Sequence, residues 1–225
     1  MLAAWAAMFW FLALSGRVNL YLSTRTSWVV PVGAVLLTVA AAGRLVAARV
    51  RLPDPLRRRE AVVMALMVLP VVIVLALPPA TLGSFSAKNK TTFSSVSFAS
   101  IYGQITDTSE ITLLSVAAAQ TSTDGAKALA KRAGDPVDFV GFVTRYADTP
   151  ADEFLLTRYV ITCCVADATI VQVRVVNVVP GRFQPNDWVD VKGLIYPLGR
   201  EVIVNATSAD SIVKVPRPSR PYLTP

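Results

Sequence analysis

The chain contains no histidine. That removes the commonest general base and the commonest metal-ligating side chain together. A Ser-His-Asp or Cys-His catalytic site cannot be built from this chain alone. Cysteine is scarce as well. There are two, Cys163 and Cys164, and they are adjacent, so no disulfide framework can be read from their spacing. Charge is thin, at 16% of residues. What charge there is falls unevenly. Residues 1–84 hold eight arginines and two acids, a net of +6, whereas residues 85–225 hold fourteen Lys/Arg and thirteen acids, a net of +1. The basic pI of about 9.7 therefore belongs to the first third of the chain. The remainder lacks the excess of positive charge that nucleic-acid-binding domains carry, and no nucleic-acid partner is expected. No nucleophile–base pair is recognisable, so a non-enzymatic role is expected.

What the chain has in quantity is apolar sequence. Hydrophobic residues make up 53%, and the mean hydropathy is +0.51 over 225 residues. The excess is concentrated in residues 1–83, read here as a transmembrane helical domain. A helix needs roughly 20 apolar residues to cross a bilayer. Ala61–Leu82 has no charged residue and follows Arg57-Arg58-Arg59-Glu60 directly. Pro70 would kink it, which membrane helices tolerate. Trp28–Val46 is a second candidate, with Trp28 suited to the interface. Residues 2–16 form a third, short unless Val18–Leu22 extends it past Arg17. This segment lacks a basic leader region, and Leu14-Ser15-Gly16 is a poor cleavage site, so a retained span is expected rather than a signal peptide. The expected spans are thus about three: 2–16, 28–46 and 61–82. The loop from Arg44 to Glu60 carries six arginines, the loop from Arg17 to Ser27 two. Positive charge stays inside, which predicts a cytoplasmic Arg-rich loop and an extracytoplasmic C-terminal domain on a multi-pass cell-membrane protein.

Residues 84–135 read as a tether and helical linker, Ser/Thr/Lys-rich at first and alanine-rich over Ala117–Arg132. Gly134-Asp135-Pro136 then stops the helical pattern. From Val137 the period changes to two. Strands are predicted over Val137–Val143, Glu153–Ile161, Ile170–Val179 and Trp188–Tyr196, with Glu201–Asn205 and Ser211–Val215 forming a fifth, bent element. In the third, Val171, Val173 and Val175 share one face, and Gln172, Arg174 and Val176 the other. Gly193 in the fourth would allow a sharp bend. Five short strands over residues 136–215 suit a small OB-like β-barrel, with a small β-sandwich as the other arrangement. Residues 216–225, rich in proline, are expected to be an extended, flexible tail. The fold class is α+β, helices first and a mostly β barrel after them.

The run Arg158-Tyr159-Val160-Ile161-Thr162-Cys163-Cys164-Val165-Ala166-Asp167-Ala168 resembles the YcgQ-like family of predicted permease subunits. Val140-Gly141-Phe142-Val143, Trp188-Val189-Asp190-Val191-Lys192-Gly193 and the membrane exit Leu77-Pro78-Pro79-Ala80-Thr81-Leu82 add to the resemblance. It implies a small membrane protein with a C-terminal soluble domain that works with a larger, multi-spanning permease. Relatives often carry a His-rich loop between the last two spans. Here that loop is Arg-rich, so it cannot carry metal handling in this protein.

Neighbouring residues of a regular strand face opposite ways. In a regular strand, one of Cys163 and Cys164 would be a small core thiol and the other would lie at the surface, with Asp167 capping backbone N–H groups in the turn. If the strand breaks at the pair, both thiolates and the Asp167 carboxylate could converge on a soft divalent cation such as zinc. A strained, easily reduced vicinal disulfide is the third possibility. Asp187, Asp190 and Lys192 are expected to be a solvated strand face. Arg145, Arg158 and Arg174 are expected to serve solvation and ion pairing.

Overall fold

The computed structural model describes residues 1–50, 57–77, 81–89, 110–120, 122–199 and 201–224. They form two compact units: Met1–Ala80 with Cys163–Val165, and Thr81–Thr162 with Ala166–Pro225.

The first unit is helical. Helix α1 spans Leu2–Leu14, α2 Val29–Val50 and α3 Arg58–Ala76. Glu60 starts α3 by accepting the Arg57 backbone N–H at 3.1 Å, the return half of a capping box. The helix therefore begins three residues before the uncharged run does. It ends at Ala76, two residues ahead of the Pro78-Pro79 pair, short of the expected Leu82. Pro70 lacks an N–H and deprives Leu66 of its helical donor. One residue on, the Met67 carbonyl takes a bond from Trp5 Nε1 at 3.1 Å. Trp10 Nε1 donates to Thr38 Oγ1 at 3.1 Å, tying α1 to α2. At Gly33 an added Cβ would lie 2.7 Å from the Phe9 ring, so these two helices touch through a glycine.

Among the described residues, α2 (over Val29–Ala48) and α3 are long and apolar enough to cross a membrane. Helix α1 is not. Its thirteen residues rise about 20 Å, against a hydrocarbon core of about 30 Å. It stops at Gly16, whose φ of 68° lies in the left-handed region, and a single 3-10 turn, Arg17–Leu20, follows instead of more α-helix. The expectation of about three spans is corrected to two helices of sufficient length.

The second unit is a barrel. Strand β1 spans Pro136–Thr144, β2 Phe154–Val160, β3 Thr169–Val176, β4 Trp188–Leu198 and β5 Glu201–Ala206. They run in the order β1-β2-β3-β5-β4, and β4 pairs back on β1 to close the sheet. Every contact around the ring is antiparallel except β3 with β5. Closure leaves these five strands without an open edge. The inward residues follow the expected alternation: Val189, Val191 and Ile195 of β4 are fully buried, as are Phe154 and Leu156 of β2. Each such side chain stabilises the fold by about 1.5–3 kcal/mol. Valines 171, 173 and 175 are buried, with Gln172, Arg174 and Val176 half-buried between them.

The alanine-rich linker folds as two short helices, α5 (Leu113–Gln120) and α6 (Thr123–Ala130), after one helical turn, α4 (Ser84–Ala87). Ser122 caps α6 by accepting the Gly125 N–H at 3.0 Å. Leu113, Val116, Ala117, Ala119 and Leu129 join the barrel core. Lys90–Ser109, most of the expected tether, lies outside the described residues.

Two expectations need correction. The fifth element is not one bent strand. A 3-10 turn, Ala209–Ser211, separates β5 from a distinct strand β6 (Ile212–Lys214), which pairs with Val189–Val191 of β4. The C-terminal residues are extended but do not hang free: Tyr222–Leu223 form β7, parallel to Tyr159–Val160 of β2.

Candidate functional site

Strand β2 stops at Val160, and the chain reaches β3 through a short 3-10 turn, Val165–Asp167. Cys163 and Cys164 lie in this connection, outside any regular strand. Neither is in the core: Cys163 is exposed and Cys164 half-buried, and no disulfide joins them. Their sulfurs are 3.7 Å apart. The Cys163 carbonyl accepts the Ser23 N–H (3.1 Å) and the Thr26 hydroxyl (2.6 Å), and Val165 N–H donates to the Tyr21 carbonyl (2.8 Å). The backbone on both sides of the thiols is thus pinned.

Asp167 follows the thiols in the same connection. Its Oδ1 accepts the Thr162 N–H at 3.0 Å, the turn-capping role. Among the described residues no three of Cys, Asp and Glu gather as a set able to hold a metal ion. Cys163 and Cys164 are brought together, and Asp167 caps the turn that carries them.

The other polar features separate by environment. Arg174 pairs with Glu153 at 2.7 Å and with Glu201, and these hydrogen bonds raise its pKa. Arg145 donates to the Pro150 and Ala151 carbonyls. Arg174 thus makes ion pairs, whereas Arg145 ties down the neighbouring backbone. Asp187 pairs with Lys214 at 2.7 Å and Lys192 with Asp138 at 3.7 Å. Asp190 departs from a solvated face. Burial first, and then the Asp138 carboxylate, push its pKa up to about 6, with Lys192 pulling the other way. Its Oδ1 is buried without a hydrogen-bond donor.

Arg158 is the larger departure. It is 8% exposed, and burial brings its pKa down to about 10. Nη1 donates to the Val140 carbonyl at 3.0 Å and Nη2 to the Arg220 carbonyl at 3.1 Å. Nε has no acceptor, and no carboxylate among the described residues pairs with the group. Its guanidinium carbon lies 5.2 Å from the Trp188 ring centroid. Around it stands an aromatic group drawn from four strands. Phe142 stacks on Tyr159 at 5.6 Å and meets Trp188 at 5.7 Å; Tyr222 abuts Tyr159 edge-on at 6.3 Å. Burial raises the pKa of the Tyr159 phenol well above its ordinary value, and that hydroxyl donates to the Gly83 carbonyl at 2.8 Å. These residues are separated in sequence, and the pairing of β1 with β2 and β4, and of β2 with β7, joins them. The signal missed was an arginine in phase with the buried Phe154, Leu156 and Val160.

Residues 88–225 match the DUF1980 C-terminal domain. The chain belongs to that family. The match takes in the whole barrel, the thiol pair, Arg158 and the last strand. No curated protein matches the chain.

Proposed function

We propose that this DUF1980 member is a non-enzymatic membrane subunit that acts with a larger, multi-spanning permease in transport. The observation that carries the reading is the state of α2 and α3. Only 11% and 6% of their most apolar stretches are buried within the protein. Helices apolar all round need lipid or other helices about them. Val35, Leu36 and Val39 of α2, and Val62, Leu66 and Leu69 of α3, are all exposed. Ala40-Ala41-Ala42-Gly43 in α2 would allow close helix contact. The YcgQ-like resemblance supports the same reading. The arginines at 44, 49, 51 and 57–59 favour a cytoplasmic loop and an extracytoplasmic barrel. The β1-β2-β3-β5-β4 closure with β3 parallel to β5 supports an OB-like barrel. The test is purification of the tagged full chain from native membranes in mild detergent. A larger multi-spanning protein in fixed ratio is expected; the chain emerging alone at every detergent strength would sink the reading.

A second reading rests on the 3.7 Å approach of two accessible thiols. It makes the domain an extracytoplasmic redox sensor, or a soft-metal binder that adds Asp167 to Cys163 and Cys164. Alkylation of the full chain with and without zinc, and before and after reduction, tests it. Equal labelling in all four conditions excludes both forms.

A further inference from the structure

Beside the buried arginine lies a cavity of about 490 Å³, whose walls include Leu82, Phe85, Phe142, Asn186, Trp188 and Arg217. None of its lining residues is acidic. Arg217 supplies a cation at the wall, and Arg158 stacks a second on Trp188 with no carboxylate to neutralise it. The acid next in sequence to Trp188, Asp187, is already bound by Lys214. The cavity therefore favours an anion. Aromatic walls alone would favour a cation, but Arg217 opposes one and Arg158 already occupies the Trp188 face. Asn186 holds one wall in place. Its φ of 73° is left-handed, and its Oδ1 accepts the Ser84 N–H at 2.6 Å. At Gly83 an added Cβ would fall 2.6 Å from that oxygen, so a side chain there would displace the Asn186 amide.

The apolar side of the cavity narrows the class of anion. Phe85 is 80% exposed. Thr81, also in the lining, follows the end of α3 by five residues. Five residues of chain reach at most about 18 Å, so the cavity is tethered close to the membrane surface that α3 leaves. A free phosphate would gain nothing from Leu82 and Phe85, whereas a lipid places acyl carbons against them.

We propose that this cavity binds the phosphate of an anionic phospholipid, with Arg217 as its charge partner and Leu82 and Phe85 against the upper acyl chains. The proposal rests on the membrane reading above. Arg158 acts as a positioning residue: it holds Trp188 and the Arg220 carbonyl, and so fixes the backbone that carries Arg217.

The test uses the full chain, purified in neutral detergent, with native mass spectrometry reading retained lipid. Phosphatidylglycerol, phosphatidylcholine and inorganic phosphate are added in turn. The wild type should retain phosphatidylglycerol selectively, and Arg217→Gln should lose about fivefold in affinity, the effect of one cation at an anionic surface. Phe85→Ser should lose affinity too, with its melting temperature unchanged. The triple change of Arg57, Arg58 and Arg59 to Gln, which removes the other basic run, should keep selective retention. Undiminished binding by Arg217→Gln, or loss only in the triple variant, overturns the proposal. Displacement of the lipid by millimolar inorganic phosphate overturns it in favour of a simple anion site. Extraction by alkaline carbonate without detergent would overturn the membrane reading itself. A chain that needs detergent yet shows no selective retention overturns only the lipid site.

Discussion

One glycine sets how closely two strands of the barrel approach. Gly193 in β4 pairs with Val137 of β1 on one side and Ala206 of β5 on the other. A Cβ there would stand 2.5 Å from the Asn205 carbonyl oxygen and 2.8 Å from Val204 Cγ1. The first contact falls about 0.9 Å short of ordinary carbon–oxygen packing. The atom struck is backbone, so no rotamer change relieves it. Strand β5 would have to move away from β4, and β5 also pairs with β3. Overpacking of this kind costs about 1–3 kcal/mol or somewhat more. Loss of glycine's freedom in the unfolded chain returns about 0.4–1 kcal/mol. Gly193→Ala should therefore destabilise the barrel by about 0.5–2.5 kcal/mol, lowering its melting temperature by roughly 2–8 °C. Trp188 is the barrel's tryptophan; the other three lie in the helical unit. With Trp5, Trp10 and Trp28 changed to Phe, a fluorescence melt follows the barrel alone. Gly43→Ala, with open space around the new methyl, is the matched control and should leave that melt unmoved. A Gly193→Ala melt within 1 °C of the parent would refute the close approach.

Two further outcomes follow from the polar groups. Asp190 binds its proton more tightly in the folded state, at a pKa of about 6 against an ordinary 3.8. Between these values the native chain holds more protons than the unfolded one, so stability falls as pH rises through that window. Asp190→Asn should abolish this decline, which melts taken from pH 4 to pH 7 would show; an unchanged slope contradicts the assignment. For the thiols, an impermeant maleimide on intact cells should label a Cys163-only variant from outside. Labelling only after the cells are opened would place the barrel in the cytoplasm and reverse the charge-based orientation.

Periodicity alone carried most of the barrel. The alternation Val171, Val173, Val175 and the run Val189, Val191, Gly193 placed β3 and β4 because an inward valine recurs every second residue. The same logic failed where the pattern was short or masked. Ile212 is the one buried residue of β6, too little to separate that strand from β5. The prolines at 216, 218 and 221 concealed β7, which needs only two residues to pair. The length of α1 was hidden because Val18–Leu22 keeps an apolar composition after Gly16 has ended the helix. Adjacency brought the two thiols into view but not their exposure, since a strand interrupted at Val160 leaves no phase to read. The local signal for Arg158 was its phase with Phe154, Leu156 and Val160, but nothing local joined it to Phe142, Tyr159 and Trp188. They belong to three strands, and what they share is a position in the closed ring.

The proposed partnership with a larger membrane protein makes a direct demand on α2 and α3. A photo-activated cross-linking residue would replace Leu36 or Leu66, both more than 60% exposed, and in separate chains Ala34, which is fully buried. The proposal predicts that light in native membranes joins the chain, from Leu36 or Leu66 but not from Ala34, to one larger multi-spanning protein. Cross-links to lipid alone at both exposed positions would contradict it.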